Sequence, residues 1–154
     1  MSRSTQLAKH IERTMTGPMW HGPALLQVLD GVSHDDAAAR PIAAAHSIWE
    51  IVLHVAAWAE IARARLKGER LGDPPAEEDW PPAESPTLDA WQHALERLGA
   101  SHRRLADDVR ALTDAALDAK VASLEYSTSV LLHGIVEHGT YHGGQIVLLR
   151  KALG

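Results

Sequence analysis

The chain has 154 residues, a net charge of −5, 45% hydrophobic and 23% charged residues, ten histidines and no cysteine. That length predicts one domain over residues 1–154 with a real hydrophobic core. The acidic balance argues against a nucleic-acid groove, which needs a clustered basic face, and the missing cysteines exclude disulfides, thiolate ligands and a cysteine nucleophile.

The close basic pair Arg103-Arg104 shares its stretch with Asp107 and Asp108, the composition of a solvated helix face. The opening residues MSRSTQLAKHIER lack the apolar core of a signal peptide. No run approaches the roughly 18 apolar residues of a membrane span. Together with the absent cysteines, this leads to the expectation of a cytoplasmic protein without a nucleic-acid or membrane partner.

The first helical segment runs from about Thr5 to Met15, breaks at Gly17-Pro18 and Gly22-Pro23, and resumes from Ala24 to Val32. Proline removes a helical hydrogen bond and clashes with the preceding turn, hence the break. The second segment starts at Ser47, where Ser47-Ile48-Trp49-Glu50 is a capping-box pattern. Ile48, Ile51, Val52, Val55, Ala59, Ala62 and Leu66 form its stripe, and Gly68 ends it. Trp49, Leu53, Trp58 and Ile61 lie on its other faces. So much apolar surface predicts central burial or a subunit contact, and Trp49, Leu53 and Trp58 are the basis for expecting a homodimer.

GERLGDPPAEEDWPPAES follows, from Gly68 to Ser85. Pro74, Pro75, Pro81, Pro82 and Pro86 in or just after it predict a long loop without regular structure. Trp80 is an apolar anchor expected to fold it onto the body. The third helix has Leu88, Trp91, Leu95, Leu98, His102, Leu105, Val109 and Leu112 at 3-4 spacing, the seam of a packed helix, with Thr87 or Ser85 as its N-cap. His102 on that seam reads as a core histidine, or one supporting a site, with one satisfied hydrogen bond. The fourth helix runs from about Ser127 to Leu153. Four helices with short and long connections make a bundle. His10, His34, His93 and His133 sit at positions that look exposed or loop-like and receive no role.

The chemistry concentrates in the fourth helix. His138 and His142 lie about 40° apart on it, in the sector of Leu131, Ile135, Ile146 and Leu149, so both point inward. Two buried imidazoles need partners for all their nitrogens. A metal ion satisfies both, since residues at i and i+4 converge on one point. Gly139, Thr140 and Tyr141 between them provide no general base of the metalloprotease pattern. The pair is therefore a half-site, and the best further donor is His54, embedded in the apolar second helix. Gln145, three residues past His142, is placed as a supporting donor. Glu50 has either that supporting role or its capping duty, and His21 is either a fourth ligand or a loop residue. Trp20-His21 and Trp80 could line the mouth. Gly134, Gly139, Gly143 and Gly144 mark either close approach of a neighbour or ligand, or a helix break at Gly143-Gly144.

HSIWEIVLHVAAW from His46 to Trp58, EDWP from Glu78 to Pro81 and LHGIVEHGTYHGGQI from Leu132 to Ile146 together resemble the DinB/YfiT superfamily of metal-binding four-helix bundles. The resemblance runs from about Ala24 to the end. It implies an all-α, up-down four-helix bundle with a long Pro-rich loop between helices 2 and 3. It also implies a divalent metal on His54, His138 and His142, and a homodimer as in many members. Zinc, nickel and iron all accept three imidazoles. Relatives include transferases and isomerases that use low-molecular-weight thiols such as bacillithiol or mycothiol, and proposed hydrolases. The expected function is thus a metal-dependent thiol S-transferase or hydrolase acting on a small-molecule substrate, with a thiol as cosubstrate. The alternative is a non-catalytic metal-binding stress-response or dimerisation bundle.

Overall fold

A computed structural model describes all residues, Met1–Gly154, and every regular element is a helix. In chain order these are α1 (Arg3–Thr16), α2 (Leu25–Leu29), α3 (His34–Ala38), α4 (Ile48–Leu66), α5 (Ala76–Asp79), α6 (Leu88–Arg110), α7 (Asp114–Asp118) and α8 (Thr128–Leu153). The long helices are α1, α4, α6 and α8. Both α1 and α4 pack against α6 and α8, which sets α1 opposite α4 and makes α4 and α8 neighbours. No helix is long and apolar enough to cross a membrane.

Local chemistry sets the helix starts. Ser2, Ser47, Thr87 and Ser127 each cap a long helix by accepting a hydrogen bond from a first-turn amide. At α4 the box closes both ways: Glu50 N–H donates to Ser47 Oγ at 3.2 Å, and Ser47 N–H donates to Glu50 Oε2 at 2.8 Å. Lys67 and Gly68 end the helix, Gly68 at φ +70°, a left-handed conformation that glycine adopts without strain.

Trp49 lies at the centre of one apolar cluster with Trp91, Leu98 and Ile146, while Ile11, Leu105, Val109 and Leu132 build a second. Trp91 Nε1–H donates to the Val32 carbonyl at 2.9 Å, so its one polar atom is satisfied. The α6 seam faces inward from Trp91 to Val109, whereas Leu88 at its first turn is exposed.

Several expectations need correction. Trp49 and Leu53 are buried within the chain and Trp58 is half-buried, so most of the apolar surplus of α4 is used internally. The proline-rich segment holds one helical turn, α5. Pro75 serves as its N-cap, where a missing amide costs nothing, and the helix stops at Trp80 before Pro81. α8 continues through Gly143-Gly144 without a break. Close approach requires glycine only at Gly139, where a Cβ would lie 2.7 Å from Thr14 Cγ2 of α1, while Gly134 and Gly144 face open space. The resumed first segment is shorter than expected, and α3 and α7 were not foreseen. Five residues are too few for periodicity to show, although Ser33 and Thr113 cap them.

Candidate metal centre

α4 delivers His54 from its apolar middle, and the neighbouring α8 delivers His138 and His142 one turn apart. One candidate ligand nitrogen from each of the three lies within 4.8 Å of the other two. His54 Nε2 and His138 Nε2 are 2.9 Å apart. Two nitrogens about 2.1 Å from one ion, at a right angle, would be about 3.0 Å apart. His54 and His142 are buried and His138 is half-buried.

Hydrogen bonds behind two of the rings assign their tautomers. His54 Nδ1–H donates to the Asp79 main-chain carbonyl at 2.5 Å. His142 Nδ1–H donates to Gln145 Oε1 at 2.6 Å, while Gln145 Nε2–H donates to the Tyr141 hydroxyl at 3.1 Å and so orients the amide. Both rings are left with an Nε2 lone pair for a ligand, the arrangement in which a metal-binding histidine is held by a partner behind it. Gln145 thus supports His142 as an acceptor, the reverse of the expected donor.

The indole of Trp80 lies between two imidazoles. It stacks on His54 at 3.8 Å and 5°, and on His46 at 3.6 Å and 10°. The Asp79 carboxylate accepts from Trp58 Nε1 at 2.7 Å. The loop is therefore pinned on the site by adjacent residues, one offering its carbonyl to His54 and the next its ring. Asp79, His46 and Tyr141 received no role from sequence. Asp79 acts through its backbone, which every residue shares, and His46 acts only because Trp80 lands on it.

Burial pushes the His138 imidazole down to about 3, with repulsion from His142 and His54 acting the same way. Burial takes His142 down to about 4 against the opposing hydrogen bond to Gln145, and it also lowers His54. All three rings are neutral at neutral pH, the form that binds metal. Three neutral imidazoles with two oriented lone pairs fit a divalent zinc, nickel or iron ion.

The DinB superfamily matches this chain over residues 20–146. The chain belongs to the DinB superfamily. The matched span takes in all three clustered histidines, Gln145 and the Trp80 loop, and leaves α1 outside. No curated protein and no solved structure matches the chain significantly.

The remaining sequence candidates of this DinB chain are not among the three clustered side chains. Glu50 is occupied by the capping box and by Arg40, and is not among the clustered side chains. His21 is exposed in the Met19–Gly22 turn beside Pro23 and Gly143, and Trp20 is wholly exposed, so neither lines the histidine cleft. His102 is a buried core residue whose Nδ1–H donates to the Leu98 carbonyl at 3.0 Å; burial holds it at about 4, and its Nε2 has no partner.

The cluster opens on a cleft of about 560 Å³. The three histidines and Trp58 meet there with Leu131 and Ile135, and Arg65 and Tyr126 also line it.

Proposed function

We propose that the chain is a metal-dependent enzyme for a small molecule, built as one up-down four-helix bundle over residues 1–154 with a proline-rich loop over its site. His54, His138 and His142 are assigned as the three ligands of one divalent ion. The observation carrying this reading is that three neutral imidazoles converge at the wall of a ligand-sized cleft, with no further His, Asp or Glu in the cluster. Three protein ligands beside open space characterise catalytic sites, whereas structural sites are closed by four.

An ion held this way supplies Lewis acidity and lowers the pKa of a bound water or thiol. The protein's own groups do the rest. The Asp79 carbonyl and Gln145 Oε1 keep the Nδ1 protons in place and the rings turned toward the site. Trp80 covers one face of His54, and Trp58, Leu131 and Ile135 provide apolar walls. With no cysteine in the chain, a thiol reaction takes its sulfur from a low-molecular-weight cosubstrate. Thiol transfer and hydrolysis are the two reaction types in view.

The test is elemental analysis of protein purified without an affinity tag, followed by thiol-transfer assays with a panel of electrophiles and by hydrolase assays without thiol. Stoichiometric metal with turnover in either assay is expected. Protein that stays metal-free after incubation with zinc, nickel and iron would remove the reading.

A further inference from the structure

Arg65 is a buried charge that the three histidines leave unexplained. It lies on α4 eleven residues beyond His54, about 16 Å of helix rise and within about 20° of the same face. Its side chain is 2% exposed. Nη1–H donates to the Tyr126 hydroxyl at 3.0 Å, Nη2–H donates to the Gly72 carbonyl at 2.9 Å, and the buried Nε–H has no partner. The Trp58 ring lies 5.4 Å from the guanidinium carbon.

None of these neighbours cancels the charge. The carboxylate beside it, Asp73, is 3.5 Å from Nη2 and is itself 94% exposed, where water screens most of the attraction. The other acid of the cleft, Asp79, is held by Trp58 Nε1 at the histidine end. Guanidinium does not deprotonate in proteins, and a buried charge without a matched partner is costly. A residue serving only to tie down the loop at Gly72 could do so with a neutral donor.

We propose that Arg65 and Tyr126 form the anion-binding end of the cleft, taking the carboxylate of an elongated small molecule whose other end meets the three histidines. This rests on the reading of the cleft as a substrate site. The guanidinium presents a fork that matches a carboxylate, and a ligand anion would displace or outcompete the solvated Asp73. Leu131 and Ile135 between the two ends select an apolar middle. The substrate class is thus an amphiphilic carboxylate with its reactive group remote from the acid.

The test is calorimetric titration of the full-length protein with hexanoate and with hexanamide, which share a chain and differ in charge. Each is measured on metal-loaded and on chelator-treated protein. Hexanoate is expected to bind about 10- to 100-fold more tightly than hexanamide in both forms, the range of a charged hydrogen bond. Arg65→Gln should bring hexanoate down to the hexanamide level and leave hexanamide unchanged, and Arg65→Lys, which keeps the charge but loses the fork, should retain only part of the preference. Equal binding of the two probes by the wild-type protein, or no binding of hexanoate, overturns the proposal without recourse to any variant. A preference seen only with metal and untouched by Arg65→Gln also overturns it, because the carboxylate then sits on the ion and the metal reading stands. An Arg65-dependent preference in protein that takes up no metal supports this anion site while the metal reading falls.

Discussion

At His142 the two ring nitrogens have separate tasks. Nδ1–H is committed to Gln145 Oε1, which leaves Nε2 free for a ligand. Gln145→Leu keeps the approximate bulk and removes the acceptor, so the ring loses both its orientation and its tautomer preference. Metal affinity is expected to fall about 10- to 100-fold, measured by competition with a chelating dye, while the circular dichroism spectrum stays that of the parent. His142→Ala should lose more, since it removes a ligand rather than the support behind one. A His142→Ala protein binding metal as tightly as the parent would make His142 a core histidine and would end the three-ligand assignment.

At the scale of the helix, α8 carries glycines that look alike in sequence and have opposite surroundings. A Cβ at Gly139 would meet Thr14 Cγ2 at 2.7 Å, whereas one at Gly144 meets nothing within 4 Å. Gly144→Ala should stabilise the protein by up to about 1 kcal/mol through helix propensity alone. Gly139→Ala gains the same propensity but forces α1 away from α8, with a packing cost of about 1–3 kcal/mol. Urea denaturation midpoints shifting in opposite directions are the expected result; two shifts of the same sign would deny the close α1–α8 contact. On α4, Ser47→Ala removes the hydroxyl that accepts from Glu50 N–H and should cost about 1 kcal/mol in the same measurement.

For the whole molecule, the buried histidines set how stability responds to acid. Burial lowers His138 to about 3 and His142 and His102 to about 4, against about 6.5 in an unfolded chain. Above about pH 6.5 these rings are neutral in both states and impose no slope. Below it the unfolded chain takes up protons that the folded chain refuses, so stability is lost progressively as pH falls toward the folded values. Each group steepens the dependence by at most about 1.4 kcal/mol per pH unit. Ordinary carboxylates titrate near pH 4, so the interval from pH 6.5 to 5 isolates the histidines. Urea midpoints should fall across that interval in metal-free protein and fall more steeply in metal-loaded protein, where protons also compete with the ion. A flat profile from pH 7 to 5 would contradict the burial of these rings.

The starts of α4, α6 and α8, the faces of the long helices and the i, i+4 histidine pair were readable in the chain, because each depends on residues within a few positions of one another. A Ser or Thr followed three residues later by a free amide makes a cap wherever the helix sits, and 3-4 spacing determines which side chains share a face. Neither rule says which helix lies beside which, or where a connecting segment lands. The packing of α4 on α8 brought His54 to the pair 84 residues away. The descent of the proline-rich segment placed Trp80 between His46 and His54, and set the Asp79 carbonyl behind His54. Burial of Trp49 and Leu53 against neighbouring helices consumed a surface that, from the sequence of α4 alone, looked free for a second subunit. Arg65 reads in sequence as one more arginine near a helix end. Only tertiary packing takes it out of water with its Nε unpaired, because desolvation is a property of what surrounds a group and not of its position in the chain.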